Sequence, residues 1–321
     1  MYTKDETFIL RSSASAIPNN LSCNWSDVQD GIHIAVIHKN TANILNVNKN
    51  GEQSYEVCSR DSTSLILQAK WCVIGNNLVL VIASQEGVRF YDSDGTLIHW
   101  HPFSNQEDTL AIDTFARGIT SLNNYVYVGT HEGLILAFRA NPVSSLGKEQ
   151  PYTLKFHASP ITHMCSWNSY LVSADDSGCI CIWRNDDNAT KKLHSFDAFG
   201  FPCTSIAAWH ELIVAGFSSG HLRVFSLQTL MLCTEVVGHA RCITSVDVAA
   251  SGLTLSASED SFVRVWQLIN EVKQKSIQFR CTILVPDYQL FGACFLNNSG
   301  TKIGVTAYDS EEVFCYKLIN E

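Results

Sequence analysis

The chain has 321 residues, of which 46% are hydrophobic and 17% charged, enough apolar material for an extended core and no compositional mark of disorder. Its formal net charge of −9 supplies no basic face for nucleic acid or an anionic lipid surface. The longest apolar runs, such as Leu78 to Ala83, are of strand length, so no membrane insertion is expected either.

Twelve cysteines are scattered singly, without a Cys-x-x-Cys pair, which suits buried free thiols in a reducing compartment. The charged start, Met1 to Glu6, has no long apolar stretch behind it, and the expected localisation is cytoplasmic.

In chain order, the first strand-like segment is Thr7 to Arg11, followed by the apolar runs Ile32 to Val36 and Ala42 to Val47. From there a pattern recurs: small residues, a polar turn, then a β-branched run that closes on an aromatic. The closing residues are Tyr91, Phe138, Trp183, Phe225, Trp266 and Tyr316, spaced 41 to 50 residues apart. One further period back from Tyr91 falls on Asn46, inside a strand-like run, which makes seven repeats. A period of roughly 40–45 residues with strand–turn–strand content is the mark of a β-propeller blade. The expected fold is all-β: a single seven-bladed β-propeller over residues 1–321, with almost no helix. Because the seventh repeat ends almost at the last residue, residues 7–11 are expected to supply its outer strand and close the ring, since an open array would leave two edges ready to pair with other chains.

The sixth repeat resembles the WD-repeat (WD40) family residue by residue, through Gly238-His239, Ser256, Asp260 and Trp266. That resemblance implies a structural tetrad in which Asp260 orients His239, His239 meets Ser256, and Ser256 reaches the indole N–H of Trp266. The fourth repeat keeps His157, Ser173 and Trp183 but has Ser177 at the turn position and Asp176 one residue early. Neither tryptophan is followed by aspartate, since Arg184 and Gln267 stand there, so the Trp-Asp-x-Arg ending of cullin-ligase substrate receptors is missing. Segments along nearly the whole chain, among them Asn19 to Ser22, Phe115 to Ile119, Phe199 to Cys203 and Glu259 to Val263, resemble one branch of the family. This implies a cytoplasmic adaptor without catalytic residues.

Chemical motifs are sparse. Gly216 to Gly220 matches the Gly-x-Ser-x-Gly elbow, but strand is expected on both sides of it, where a nucleophile elbow needs a strand-to-helix turn. His99 and His101 share a strand face without a third or fourth ligand near them in sequence, and His163 and Cys165 read as packed on an inner strand. No catalytic residue, metal or cofactor is expected; a propeller hydrolase or isomerase with a polar site at the channel mouth is the rival. Aligning the inner strands on Ile119-Thr120, Ile161-Thr162, Cys203-Thr204 and Ile243-Thr244 places Arg117, Ser159, Phe201 and Arg241 two residues earlier, around the channel mouth. Arg117, Phe201 and Arg241 on an acidic protein suit a protein or peptide partner with an acidic or phosphorylated segment and an apolar anchor. The expected function is a non-enzymatic interaction scaffold; signalling adaptor, trafficking or ciliary assembly subunit, and reader of modified peptides all stay open.

Overall fold

The β-branched, alternating runs of each repeat form antiparallel strands, and a computed structural model places them in seven sheets arranged in a ring. The structure describes residues 1–26, 31–48, 51–60, 62–103, 115–140, 142–186, 189–271 and 274–319. Six blades have four strands each in simple up-and-down order, and the seventh has five. A single short 3₁₀ turn, Val143–Ser145, is the helical content of the described residues.

The inner strands of blades 1 to 7 are Leu21–Ser26, Ile66–Ile74, Ala116–Leu122, Ile161–Trp167, Cys203–Trp209, Ile243–Val248 and Leu290–Phe295. Each lies against the next, and the last against the first, so the ring is closed. Second strands are covered by blades on both faces. In blade 5, Leu212–Phe217 is buried at every position, whereas the outer strand Met231–Val237 has no buried residue. The buried apolar residues fall into clusters at the seven junctions, each uniting two neighbouring blades.

Closure uses the N-terminal segment. Tyr2–Lys4 and Phe8–Ile9 both pair antiparallel with Glu312–Leu318, in the registers Tyr2↔Leu318 and Phe8↔Val313. The pairing therefore begins five residues before the segment expected from sequence. The Tyr2 hydroxyl donates to the Gly300 carbonyl, and Leu10 enters the core between blades 7 and 1.

Blades 2 to 7 share a register irregularity at the start of the inner strand. An extra residue in one strand turns its side chain out of the ladder. In blades 4, 5 and 6 that residue is a threonine. The Thr162, Thr204 and Thr244 hydroxyls donate to the carbonyls of Cys203, Ile243 and Leu290, each at the start of the next blade's inner strand. In blade 3 the irregularity covers Arg117 and Gly118, between the pairs Ala116↔Thr130 and Ile119↔Val128. Gly118 has φ +84°, and a Cβ there would stand 2.9 Å from Ile161 Cγ2, so this bend requires glycine.

Candidate functional site

In blade 6 the tetrad residues are joined by hydrogen bonds. His239 Nδ1 lies 3.0 Å from both Asp260 oxygens, His239 Nε2 2.8 Å from Ser256 Oγ, and Trp266 Nε1 donates to Ser256 Oγ at 2.9 Å. A proton on Nδ1 serves Asp260, and Nε2 then accepts the Ser256 hydroxyl proton while Ser256 Oγ accepts the indole N–H; Arg264 Nη1 also stands 2.7 Å from Nδ1. Burial lowers the pKa of His239, and the Arg264 guanidinium beside it disfavours the imidazolium further. Burial works against the Asp260 carboxylate, but bonds from His239, the Ala240 N–H and Arg264 outweigh it and hold the pKa well below the usual carboxylate range. The network ties the loop before the inner strand to the middle of the blade.

Blade 4 contains the same network with a different carboxylate. His157 Nδ1 lies 2.7 Å from Asp175 Oδ2, His157 Nε2 2.7 Å from Ser173 Oγ, and Trp183 Nε1 donates to Ser173 Oγ at 2.8 Å. The acid is neither Asp176 nor the residue aligned at 177; it is Asp175 at the strand end, two residues before that aligned position. Relative to blade 6, aspartate and serine have exchanged places. Ser258 Oγ accepts the Asp260 N–H at 3.1 Å in blade 6, and Asp175 Oδ1 accepts the Ser177 N–H at 3.0 Å in blade 4. Both positions lie within reach of the imidazole, so either can supply the carboxylate. Sequence alignment on a fixed turn position misses this, and Asp175 was visible only as a neighbouring acid.

His157, Asp175 and Cys179 also form the one grouping among the described residues that could hold a metal, with ligand atoms within 4.8 Å of one another. The imidazole and carboxylate are already bonded to each other, and burial first, then the Asp175 charge, raises the Cys179 thiol to about 11. A neutral thiol is a poor ligand, and the set is a hydrogen-bond network. His99 and His101 pack on Phe90 and Phe138, with centroids 5.8 and 5.1 Å apart. In the Gly216 to Gly220 segment, Leu212–Phe217 leads into a turn and then the strand His221–Ser226, which is a hairpin and not a nucleophile elbow.

The structure places Arg117 at the bend that begins the inner strand of blade 3, and Phe201 and Arg241 in the loops leading into the inner strands of blades 5 and 6. Arg117 is half-buried, and among the described residues its guanidinium makes no hydrogen bond or ion pair. Desolvation lowers its pKa, countered by the fields of Asp176 on blade 4 and Cys242 on blade 6. Arg241 is exposed and likewise unpaired among the described residues. The contrast is with Arg89 and Arg223, which pair with Glu86 and Glu235 and stack on Trp100 and Phe199 at 4.5 and 4.1 Å.

Phe201 is 51% exposed. Its loop is anchored from beneath by Phe199, whose ring lies 5.5 Å from Phe217 and 6.0 Å from Phe225. An apolar side chain held out on a fixed loop loses little entropy when a partner covers it.

Sequence reasoning missed Asn19. At φ +59° it reaches across the channel: its Nδ2 donates to Thr204 O at 2.8 Å, Ser205 Oγ donates to its Oδ1 at 2.6 Å, and its backbone N–H donates to Thr244 O at 3.0 Å. The approach to blade 1 is thereby tied to blades 5 and 6. The available signal was the Asn19-Asn20 pair itself, since asparagine tolerates the left-handed region.

Solved propellers share the fold at low identity. A chain of a structure titled "Crystal Structure of Mitotic Checkpoint Complex" superposes with a TM-score of 0.77 at 14% identity, covering 99% of this chain and 92% of that one. The RRP9 WD40 repeats give 0.74 at 12% identity with full coverage of both chains. Full-length relatives are more similar in sequence. WD repeat-containing protein 54 of Mus musculus is 32% identical over 342 residues, covering 99% of this chain and 100% of the relative. The Homo sapiens protein is also 32% identical, over 336 residues and 98% of each chain. WD40 propellers are generally non-enzymatic platforms for protein partners, and with the WDR54 family model matching residues 1–319, this chain belongs to the WDR54 family.

Proposed function

We propose that this propeller is a cytosolic adaptor whose Arg117, Phe201 and Arg241 face receives an acidic or phosphorylated segment of a protein partner. One observation carries the reading: the half-buried Arg117 guanidinium has no acceptor among the described residues. A buried or half-buried cation without a partner is costly, and a carboxylate or phosphate on a peptide would supply the fork of acceptors that arginine is shaped to bind. Arg241 adds a second, exposed cation, and Phe201 offers the apolar contact typical of interface anchors. All twelve cysteines are free, which fits a reducing compartment.

The test is quantitative pull-down with Arg117→Glu/Arg241→Glu, alongside Arg117→Gln, which keeps donors but removes the charge. The double variant is expected to lose at least one partner by tenfold or more with its melting transition nearly intact, and added salt is expected to weaken the wild-type contact. Retention of every partner by a folded double variant overturns the reading. If the double variant does not fold, Arg117→Gln decides, and unchanged capture by it has the same consequence.

A further inference from the structure

The channel also holds a cavity of about 230 Å³ on the side of blades 1, 2, 6 and 7, reaching His163 on blade 4. Most polar groups on its wall are committed. Ser22 Oγ accepts the Trp71 N–H at 3.1 Å, Ser245 Oγ donates to Ala293 O at 2.9 Å, and Asn19 is held by blades 5 and 6. Gln68, Lys70, His163 and Asp247 have capacity left among the described residues. Gln68 is 3% exposed, and its Oε1 is buried with no hydrogen-bond partner. Lys70 Nζ has one marginal bond, to Met164 O at 3.4 Å. His163 Nδ1 accepts the Ile206 N–H at 3.0 Å, which fixes the neutral tautomer and leaves Nε2–H as a donor. Asp247 accepts the Val248 and Phe295 N–H groups at 2.9 and 2.8 Å, and a carboxylate has lone pairs for more.

We propose that this cavity binds a small zwitterion of the free amino acid class, its carboxylate held by Lys70 and His163 Nε2–H and its ammonium by Gln68 Oε1 and Asp247. The argument is complementarity. The wall presents one cation and one anion, so a ligand without net charge but with both signs fits. A buried acceptor without a partner is costly, and an ammonium proton satisfies it. The volume is smaller than the roughly 300–1,000 Å³ of pockets for drug-sized ligands, which suits a small metabolite. None of Arg117, Phe201 and Arg241 lines the cavity, although the Arg117 charge reaches His163, so this proposal is tested by its own variants and not by those at Arg117.

Saturation-transfer NMR of the full-length protein with the standard L-amino acids at millimolar concentration, followed by calorimetry, tests the proposal. At least one amino acid is expected to receive saturation, to bind tenfold or more weakly to Lys70→Met, and to bind tenfold or more tightly than its α-hydroxy acid analogue. Gln68→Leu is expected to weaken binding as well, and it decides the matter if Lys70→Met does not fold. No saturation with any amino acid, unchanged affinity in a folded variant, or equal binding of the hydroxy acid overturns the proposal.

Discussion

At the scale of single residues, the two histidine networks show that position in a turn matters less than reach. Asp175 and Asp260 come from different points of equivalent hairpins in blades 4 and 6 and arrive at equivalent atoms. Asp175→Ala is therefore expected to destabilise by about 1–3 kcal/mol, because it leaves His157 Nδ1–H and three groups bonded to Asp175 Oδ1 unpaired. Asp176→Ala, at an exposed residue outside the network, is expected to stay within about 0.5 kcal/mol. Urea unfolding of the two variants checks the difference, and equal losses would show that Asp175 does not hold the histidine.

The same residues set an acid dependence. His239 has a folded pKa below its unfolded value of about 6.5. Its contribution is complete above that value and falls as pH drops below it, since protonation must then be resisted by the fold. Asp260 and Asp175 are also depressed, by hydrogen bonds that outweigh burial. Their contribution is complete above roughly pH 4 and is lost as pH falls toward the folded values. Urea midpoints are expected to decline first below about pH 6.5 and again below about pH 4, and Asp260→Asn to flatten the lower decline. An unchanged lower decline in that variant would remove Asp260 from the acid response.

At the scale of elements, the recurring irregularity at the start of the inner strand does two jobs. In blades 4 to 6 it turns a threonine toward the next blade, and in blade 3 it takes Arg117 out of the ladder, near Asp176 and Cys242. Thr204→Val keeps shape but deletes the donor to Ile243 O. It is expected to cost about 1–2 kcal/mol by leaving a buried carbonyl unpaired. Denaturant unfolding measures this, and a loss below about 0.3 kcal/mol would make the hydroxyl dispensable. The ladder alone would not reveal the latch, because the bond runs between sheets.

At the scale of the whole molecule, every core cluster lies between two blades, and each blade is stabilised by its neighbours. The junction of blades 7 and 1 is special because its cover comes from the N-terminal segment. Deleting residues 1–11 removes the Tyr2 and Leu10 side chains from the core and bares the Glu312–Leu318 edge. Each fully buried side chain of this size contributes roughly 1.5–3 kcal/mol, so a fall in melting temperature of more than about 5 °C is expected. A change of only a degree or two would mean the ring closes without this segment.

The seven-fold period, the near-absence of helix among the described residues and the blade 6 tetrad residues were all legible in the sequence. They depend on local periodicity: strand alternation, turn chemistry and a repeat length that each blade carries within itself. The tertiary structure alone decided that Asp175 takes the aspartate's role in blade 4, that Asn19 spans the channel, that Arg117 has no acceptor among the described residues while Arg89 and Arg223 do, and that Gln68, Lys70, His163 and Asp247 share one cavity. Those facts depend on distances between residues that are far apart in the chain or shifted within a turn, and closing the ring fixes such distances without leaving any periodic trace in the sequence.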